Sequence, residues 1–144
     1  MKKEHNFFTD KISIKTVDRK RIIYLVITVT FFLLTEIGRN IYRPFIYSNS
    51  IEDYGIADSI GNLGGIIVQI FFSLTILNSP KKQGFRVIGF IVIGYIIYEI
   101  LQLYLPRGVF DWKDIYGTVL GGIISILIWL TINIFVNNKL IYKF

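Results

Sequence analysis

Cysteine is absent from the 144-residue chain, which excludes disulfides, thiolate metal ligation and thiol nucleophiles. Histidine occurs once, as His5 in a polar N-terminal segment. That removes a His-rich zinc site and any imidazole-dependent triad. Proline occurs three times, at Pro44, Pro80 and Pro106, so helix-breaking signals are confined to three places. Charge is sparse as well, with 18% Asp, Glu, Lys and Arg. A cleavable signal peptide is not expected, because the first apolar run follows polar residues 1–21 and has no small-x-small exit.

What is present is apolar: 53% hydrophobic residues and a mean hydropathy of +0.54. Four long runs account for this, and each approaches the roughly 20 residues that cross a hydrocarbon core. A chain this short has too little polar surface to bury four such helices in water. The expectation is an all-α integral membrane protein. Residues 1–21 form a basic tail, 22–138 a four-helix membrane domain, and 139–144 a C-terminal tail. The spans fall at about 22–40, 58–77, 87–105 and 115–136. An interfacial piece near Phe7–Ile14 and a disordered tail are both compatible with the first segment. Pro44 is expected to end the first span, leaving 44–57 as a loop.

Four crossings put both termini on one side. Twelve basic residues lie on that side, in the tail, around Lys81, Lys82 and Arg86, and at Lys139 and Lys143. Only Arg39, Arg43, Arg107 and Lys113 lie opposite. The positive-inside rule then predicts cytoplasmic N and C termini. It also accounts for the net charge of +6 without a nucleic-acid partner. Seven of the ten acidic residues, from Glu36 to Asp114, gather at the other face, where they suggest a local role.

The two halves align. Glu36-x-x-Arg39 corresponds to Glu99-x-x-Gln102, each near the end of an odd-numbered span. Asp58-x-x-Gly61-Asn62-x-x-Gly65 corresponds to Asp114-x-x-Gly117-Thr118-x-x-Gly121, each at the start of an even-numbered span. Both halves enter the membrane in the same direction, so the expected architecture is two parallel-repeat helical hairpins. Glu36, Asp58, Glu99 and Asp114 are then expected at similar depth. Asp58 and Asp114 suit helix N-termini, where carboxylates can cap free N–H groups. Glu36 and Glu99 occupy C-terminal regions and need an arginine, a cation or a polar cavity.

The second half, over residues 87–130, resembles the VanZ-like family of bacterial membrane proteins. The resemblance rests on Glu99-x-x-Gln102, the Pro106-Arg107 turn, Phe110-Asp111-x-x-Asp114, and Gly121. Thr118 stands where that family usually has Asn, while Asn62 occupies the equivalent place in the first half. The resemblance implies a small helical protein of the bacterial cytoplasmic membrane with an outward-facing polar site. The family is named for a protein linked to tolerance of the glycopeptide antibiotic teicoplanin.

The residues themselves suggest a pocket for a polar or phosphorylated lipid-linked head group. Arg107, Arg39 and Arg43 can meet phosphate oxygens with paired donors. Gln102, Asp111, Glu36, Asp58, Asn62 and Thr118 complete the expected ligand-binding set. Glu99 and Asp114 are the expected catalytic carboxylates if the site also modifies its ligand, one acting as acid or base. They could also hold a divalent cation through oxygen ligands. Expected partners are membrane lipids and a lipid-linked cell-wall precursor.

Each residue also has a plain structural reading. Glu99, Arg107 and Asp114 can orient a bundle through ion pairs. Asp111 can cap the fourth helix, Asn62 and Thr118 can bond between helices, and Gly61, Gly65, Gly117 and Gly121 can serve close packing. Two alternative functions stay open: a small transporter, which needs a path through a homo-oligomer interface, and a non-catalytic structural or interaction protein. The topology is directly testable because the chain has no background thiols. Single cysteines replacing Trp112 and Lys82 should be labelled by an impermeant reagent from opposite sides of the membrane. Labelling from one side would break the four-span scheme.

Overall fold

The computed structural model describes residues 19–77 and 81–141. These residues form α1 (Arg19–Ile37), a π-helical turn (Gly38–Tyr42), α2 (Arg43–Ser48), α3 (Ile56–Leu77), α4 (Lys81–Leu101) and α5 (Trp112–Ile141). A 3-10 turn, Gln102–Tyr104, extends α4. No strand occurs among the described residues. The segment near Phe7–Ile14, the Asn78–Pro80 stretch and residues 142–144 lie outside them. Four segments are long and apolar enough to cross a membrane: Arg19–Ser48, Ile56–Leu77, Gln83–Tyr104 and Trp112–Val136.

The first of these does not stop at Pro44. In a regular α-helix a proline ring clashes with the carbonyl four residues back and contributes no N–H donor. Here the Arg43 N–H reaches five residues back, to Gly38 O. The widened turn places Pro44 in the first turn of α2, where a missing donor costs little. The helix therefore runs on to Ser48, through the first five residues of what the sequence marks as a loop. The remaining connection, residues 49–55, turns back through left-handed Ser50, Tyr54 and Gly55.

Side-chain neighbours set the helix directions. Tyr24 stacks on Phe71, and Arg21 Nε donates to the Thr75 carbonyl, so α1 runs antiparallel to α3. Gly84 meets Trp129 and Gly122 meets Val92, so α4 runs antiparallel to α5. Gly117 lies on Ser59 and Gly121 on Leu63 and Ile66, so α5 runs parallel to α3. The connections 49–55 and 105–111 consequently sit at the same end of the bundle.

α3 is the central helix and packs on α1, α4 and α5. It supplies five of the eight residues in the buried core, Ile66, Ile67, Ile70, Phe71 and Leu74, joined by Tyr24, Ile88 and Trp129. Many of the largest apolar side chains point outward instead, among them Phe32, Leu33, Leu34, Phe90 and Leu127. In water this surface would drive association; in a bilayer it meets acyl chains.

The expected glycine contacts hold in one half and fail in the other. A Cβ on Gly117 would lie 2.7 Å from the Ser59 carbonyl oxygen, and one on Gly121 would collide with Leu63 and Ile66. On α3, Gly65 has nothing within 4 Å and Gly61 has only Arg39 Cδ at 4.0 Å. The close approach there belongs to Gly64, against Thr35 of α1. The α3 face that meets α1 thus runs one residue out of step with the Gly61-x-x-x-Gly65 pattern. Gly121→Val should cost about 1–3 kcal/mol through overpacking. Gly65→Ala and Gly89→Ala, which have open space, should be neutral or gain up to about 1 kcal/mol of helix propensity. Unfolding of the full chain in mixed micelles by added dodecyl sulfate measures both; equal losses would refute the packing.

Candidate functional site

Two polar groups form at the end of the bundle that carries the 49–55 and 105–111 connections. The first centres on Asp58, in the first turn of α3. Lys113 Nζ approaches Asp58 Oδ2 at 2.6 Å, Arg43 Nη2 lies 3.6 Å from Oδ1, and the Tyr47 hydroxyl donates to the same carboxylate. Arg43 Nε in turn donates to the Tyr47 hydroxyl at 3.2 Å, with its guanidinium 5.3 Å from the Tyr47 ring centre. One carboxylate therefore ties together α2, α3 and α5. Ser59 Oγ lies 2.9 Å from both Gly55 O and Lys113 O, so its single proton serves one of them at a time.

Asp58 does not cap its own helix. That role falls to Asp53, whose carboxylate accepts from the Gly55 and Ala57 N–H groups at 3.1 and 2.6 Å. Asp53 Oδ2 also accepts from the Tyr42 hydroxyl at 3.3 Å, linking the cap to the π turn. Asp111 caps α5 in the same manner, accepting from the Lys113 N–H at 2.9 Å. With Asp53 and Asp111 as caps, Asp58 and Asp114 are left for side-chain contacts.

The second group centres on Glu99, which is 3% exposed. Its two oxygens accept from Gln102 Nε2 at 2.7 Å and Asn62 Nδ2 at 3.4 Å. Both donors are neutral amides, and no described basic side chain forms an ion pair with Glu99. Asp114 is half-buried and lies in the electrostatic neighbourhood of Glu99, Asp111, Asp58 and Arg43. Its carboxylate makes no hydrogen bond or ion pair with a described residue. One turn further into the membrane on α5, Thr118 is fully buried and its Oγ1 has no partner among the described residues. The contrast is internal. Thr28, Thr35 and Ser125, the other buried Thr and Ser among the described residues, each donate to the carbonyl four residues back on their own helix.

Arg107 sits apart from both groups and makes no ion pair with a described residue. The connection carrying it folds tightly: Gly108 N donates to Leu105 O, and a Cβ on Gly108 would collide with the Gln102 carbonyl. This brings Arg107 alongside Gln102. Together with Tyr98, Leu105, Pro106 and Gly108 they line an open pocket of about 400 Å³. Gln102 thus has one end on Glu99 and one flank on the Arg107 pocket. Beyond the pocket, Phe110 and Trp112 pack edge to face at 5.2 Å, an aromatic pair suited to the interface.

Glu36 and Arg39 pair with each other at 3.6 Å, and Asn40 donates to the Glu36 carboxylate. They remain largely exposed and join neither group. The charged residues expected to converge therefore divide into an Asp58–Arg43 lock, a Glu99–Asn62–Gln102 cluster beside Asp114 and Thr118, an Arg107 pocket, and a separate Glu36–Arg39 pair. Among the described residues no three His, Asp or Glu side chains converge as a metal cage. Lys113, Tyr47 and Asp53 were not singled out from sequence. Only Asp53 carries a local signal, as an Asp two residues before a glycine in a turn.

No protein-family model matches the chain, and comparison with curated proteins and with solved structures finds no match to either.

The Asp58–Lys113 pair is partly open to water, with side chains 22% and 49% exposed, so its worth is modest. A double-mutant cycle of Asp58→Asn and Lys113→Met should give a coupling of about 0.2–1 kcal/mol in unfolding free energy. A coupling of zero would mean that the lock does not form.

Proposed function

We propose that the chain is a VanZ-like protein of the bacterial cytoplasmic membrane that binds the polar or phosphorylated head group of a lipid or lipid-linked molecule. The site faces away from the cytoplasm, both termini lie inside, and the two helical hairpins descend from a parallel duplication. The observation that carries the binding reading is Arg107, a cation without an ion partner among the described residues, in an open pocket at the end of a membrane span. A guanidinium in that position suits a phosphate, which it can grip with paired donors. Tyr98, Leu101 and Leu105, exposed on the lipid side of the same helix end, suit the first carbons of acyl chains.

The asymmetry between the polar and opposite ends supports binding over transport. Inward of Glu99 the bundle is filled by the core of Ile66, Ile67, Ile70, Phe71, Ile88 and Trp129. The basic residues at the far end, among them Arg19, Lys20, Arg21 and Arg86, are separated from the site by this apolar layer. A head group can enter from the side of the membrane without crossing it. The resemblance to the VanZ-like family supports the same placement, with Asn62 offering the amide that Thr118 lacks. Envelope-related tolerance of teicoplanin is the physiological setting this reading suggests.

Lipid phosphate retained by the purified full chain tests the proposal. Arg107→Gln should lower it about tenfold, as expected for loss of a charge-assisted contact. Arg86→Gln, at the other end of α4, should leave it unchanged. Equal retention by the two variants would eliminate the site.

A further inference from the structure

The Arg107 pocket and the Glu99 cluster share one residue, Gln102, and carry opposite charge on its two sides. On the outer side stands a guanidinium with no ion partner among the described residues. On the inner side stand Glu99, whose described partners are two neutral amides, and Asp114, which makes no hydrogen bond or ion pair with a described residue. Two carboxylates alone would be explained by packing and caps. A second feature argues for an occupant: the buried and unpartnered Thr118 Oγ1.

The helix register places that hydroxyl. On α4 the stripe Gly84, Ile88, Val92, Tyr95 and Glu99 follows one helical face. Close contacts fix its partner stripe on α5, with Trp129 on Gly84 and Gly122 on Val92. Continuing outward along α5, the residues one and two turns beyond Gly122 on the same face are Thr118 and Asp114, which rise toward the level of Glu99. Thr118 therefore lies on the same α5 face as Asp114, one turn below it and inward of the level of Glu99. Among the described residues none of these acceptors has a cationic donor, in a setting where an unmet polar group is costly.

We infer that the head group taken by this site is zwitterionic and bears a primary amine, with its phosphate on Arg107 and its ammonium inside Gln102, against Glu99, Asp114 and Thr118. This rests on the head-group reading above and narrows it to one chemical class. An ammonium brings three donors and one positive charge, which suits two carboxylates and a hydroxyl acceptor. Entry requires only that the Gln102 amide release the Glu99 oxygen it now occupies. A purely anionic head group would satisfy Arg107 but set negative charge or hydroxyls beside two carboxylates. A quaternary ammonium has the charge without the N–H donors, and is bulkier.

Short-chain phosphatidylethanolamine, phosphatidylglycerol and phosphatidylcholine, titrated against the full chain in detergent and read by native mass spectrometry, separate these cases. The expected order is phosphatidylethanolamine tighter than the other two by about tenfold, the scale of one charge-assisted hydrogen bond. Glu99→Gln, which keeps the shape and an acceptor but removes the charge, should erase that preference while leaving phosphatidylglycerol binding intact. Arg107→Gln should weaken all three alike. Thr118→Val provides the variant that folds regardless, since it removes an unsatisfied buried hydroxyl. It should raise stability and reduce the preference for the primary amine, whereas a merely structural Thr118 would change stability alone. Binding of all three lipids without preference, or a preference that survives both Glu99→Gln and Thr118→Val, overturns the inference and leaves the head-group reading standing. Binding of none overturns both.

Discussion

Helices α3 and α5 touch through bare backbone at Gly117 and Gly121, and the meeting of Asp58 with Lys113 follows from that contact. With no Cβ on α5, its axis comes close enough for the Ser59 and Leu63 backbone to lie against it. Because α3 also packs on α1 and α4, it becomes the post around which the other helices stand. Parallel α3 and α5 bring their N-terminal turns to one level. Asp58 then meets Lys113, and Asn62 meets Glu99 across the third side of the post. Bulk at either glycine would act on polar contacts well beyond the site of substitution.

The polar end then sorts itself by how much water each charge retains. Asp58, Arg43 and Lys113 remain partly wet and pair, a modest gain that fixes orientation more than stability. Glu99 is closed off and held by two amides, with no described cation beside it. A carboxylate kept in that state at a membrane-helix end is costly. On the proposed reading, a ligand of opposite charge offsets that cost. Arg107, on the far side of Gln102, is the mirror case: a cation left open with no described anion beside it.

Much of the architecture was legible because hydropathy and span length report directly on the bilayer. Four apolar runs of adequate length leave few alternatives, and the glycines of α5 carried their meaning in their spacing. The contacts of α3 were less legible. Gly61 and Gly65 have the same spacing as Gly117 and Gly121, yet it is Gly64 that meets a neighbour. Spacing gives a face but not which helix covers it. At the site, Glu99 with Gln102 was readable as an i, i+3 pair, and Asn62 as a polar position at the right depth. The Asp58–Lys113 pairing was not, since the two residues are 55 positions apart and only the α3–α5 contact brings them together. Asp58 also looked like a cap. The true caps, Asp53 and Asp111, lie just outside their helices, where a shift of a few residues in the helix start changes the assignment.

The π turn at Gly38–Tyr42 has a further consequence. Inserting one extra residue into a helical turn advances the phase of everything beyond it by about 100°. Arg43 and Tyr47 are downstream of that insertion, and their side chains reach Asp58 on α3. Without the extra residue the same two side chains would be swung about a quarter-turn around the α2 axis, away from their present direction. The widened turn that accommodates Pro44 is thus also an angular adjustment. A single-residue deletion within it would disconnect the lock while leaving every residue of the lock in place.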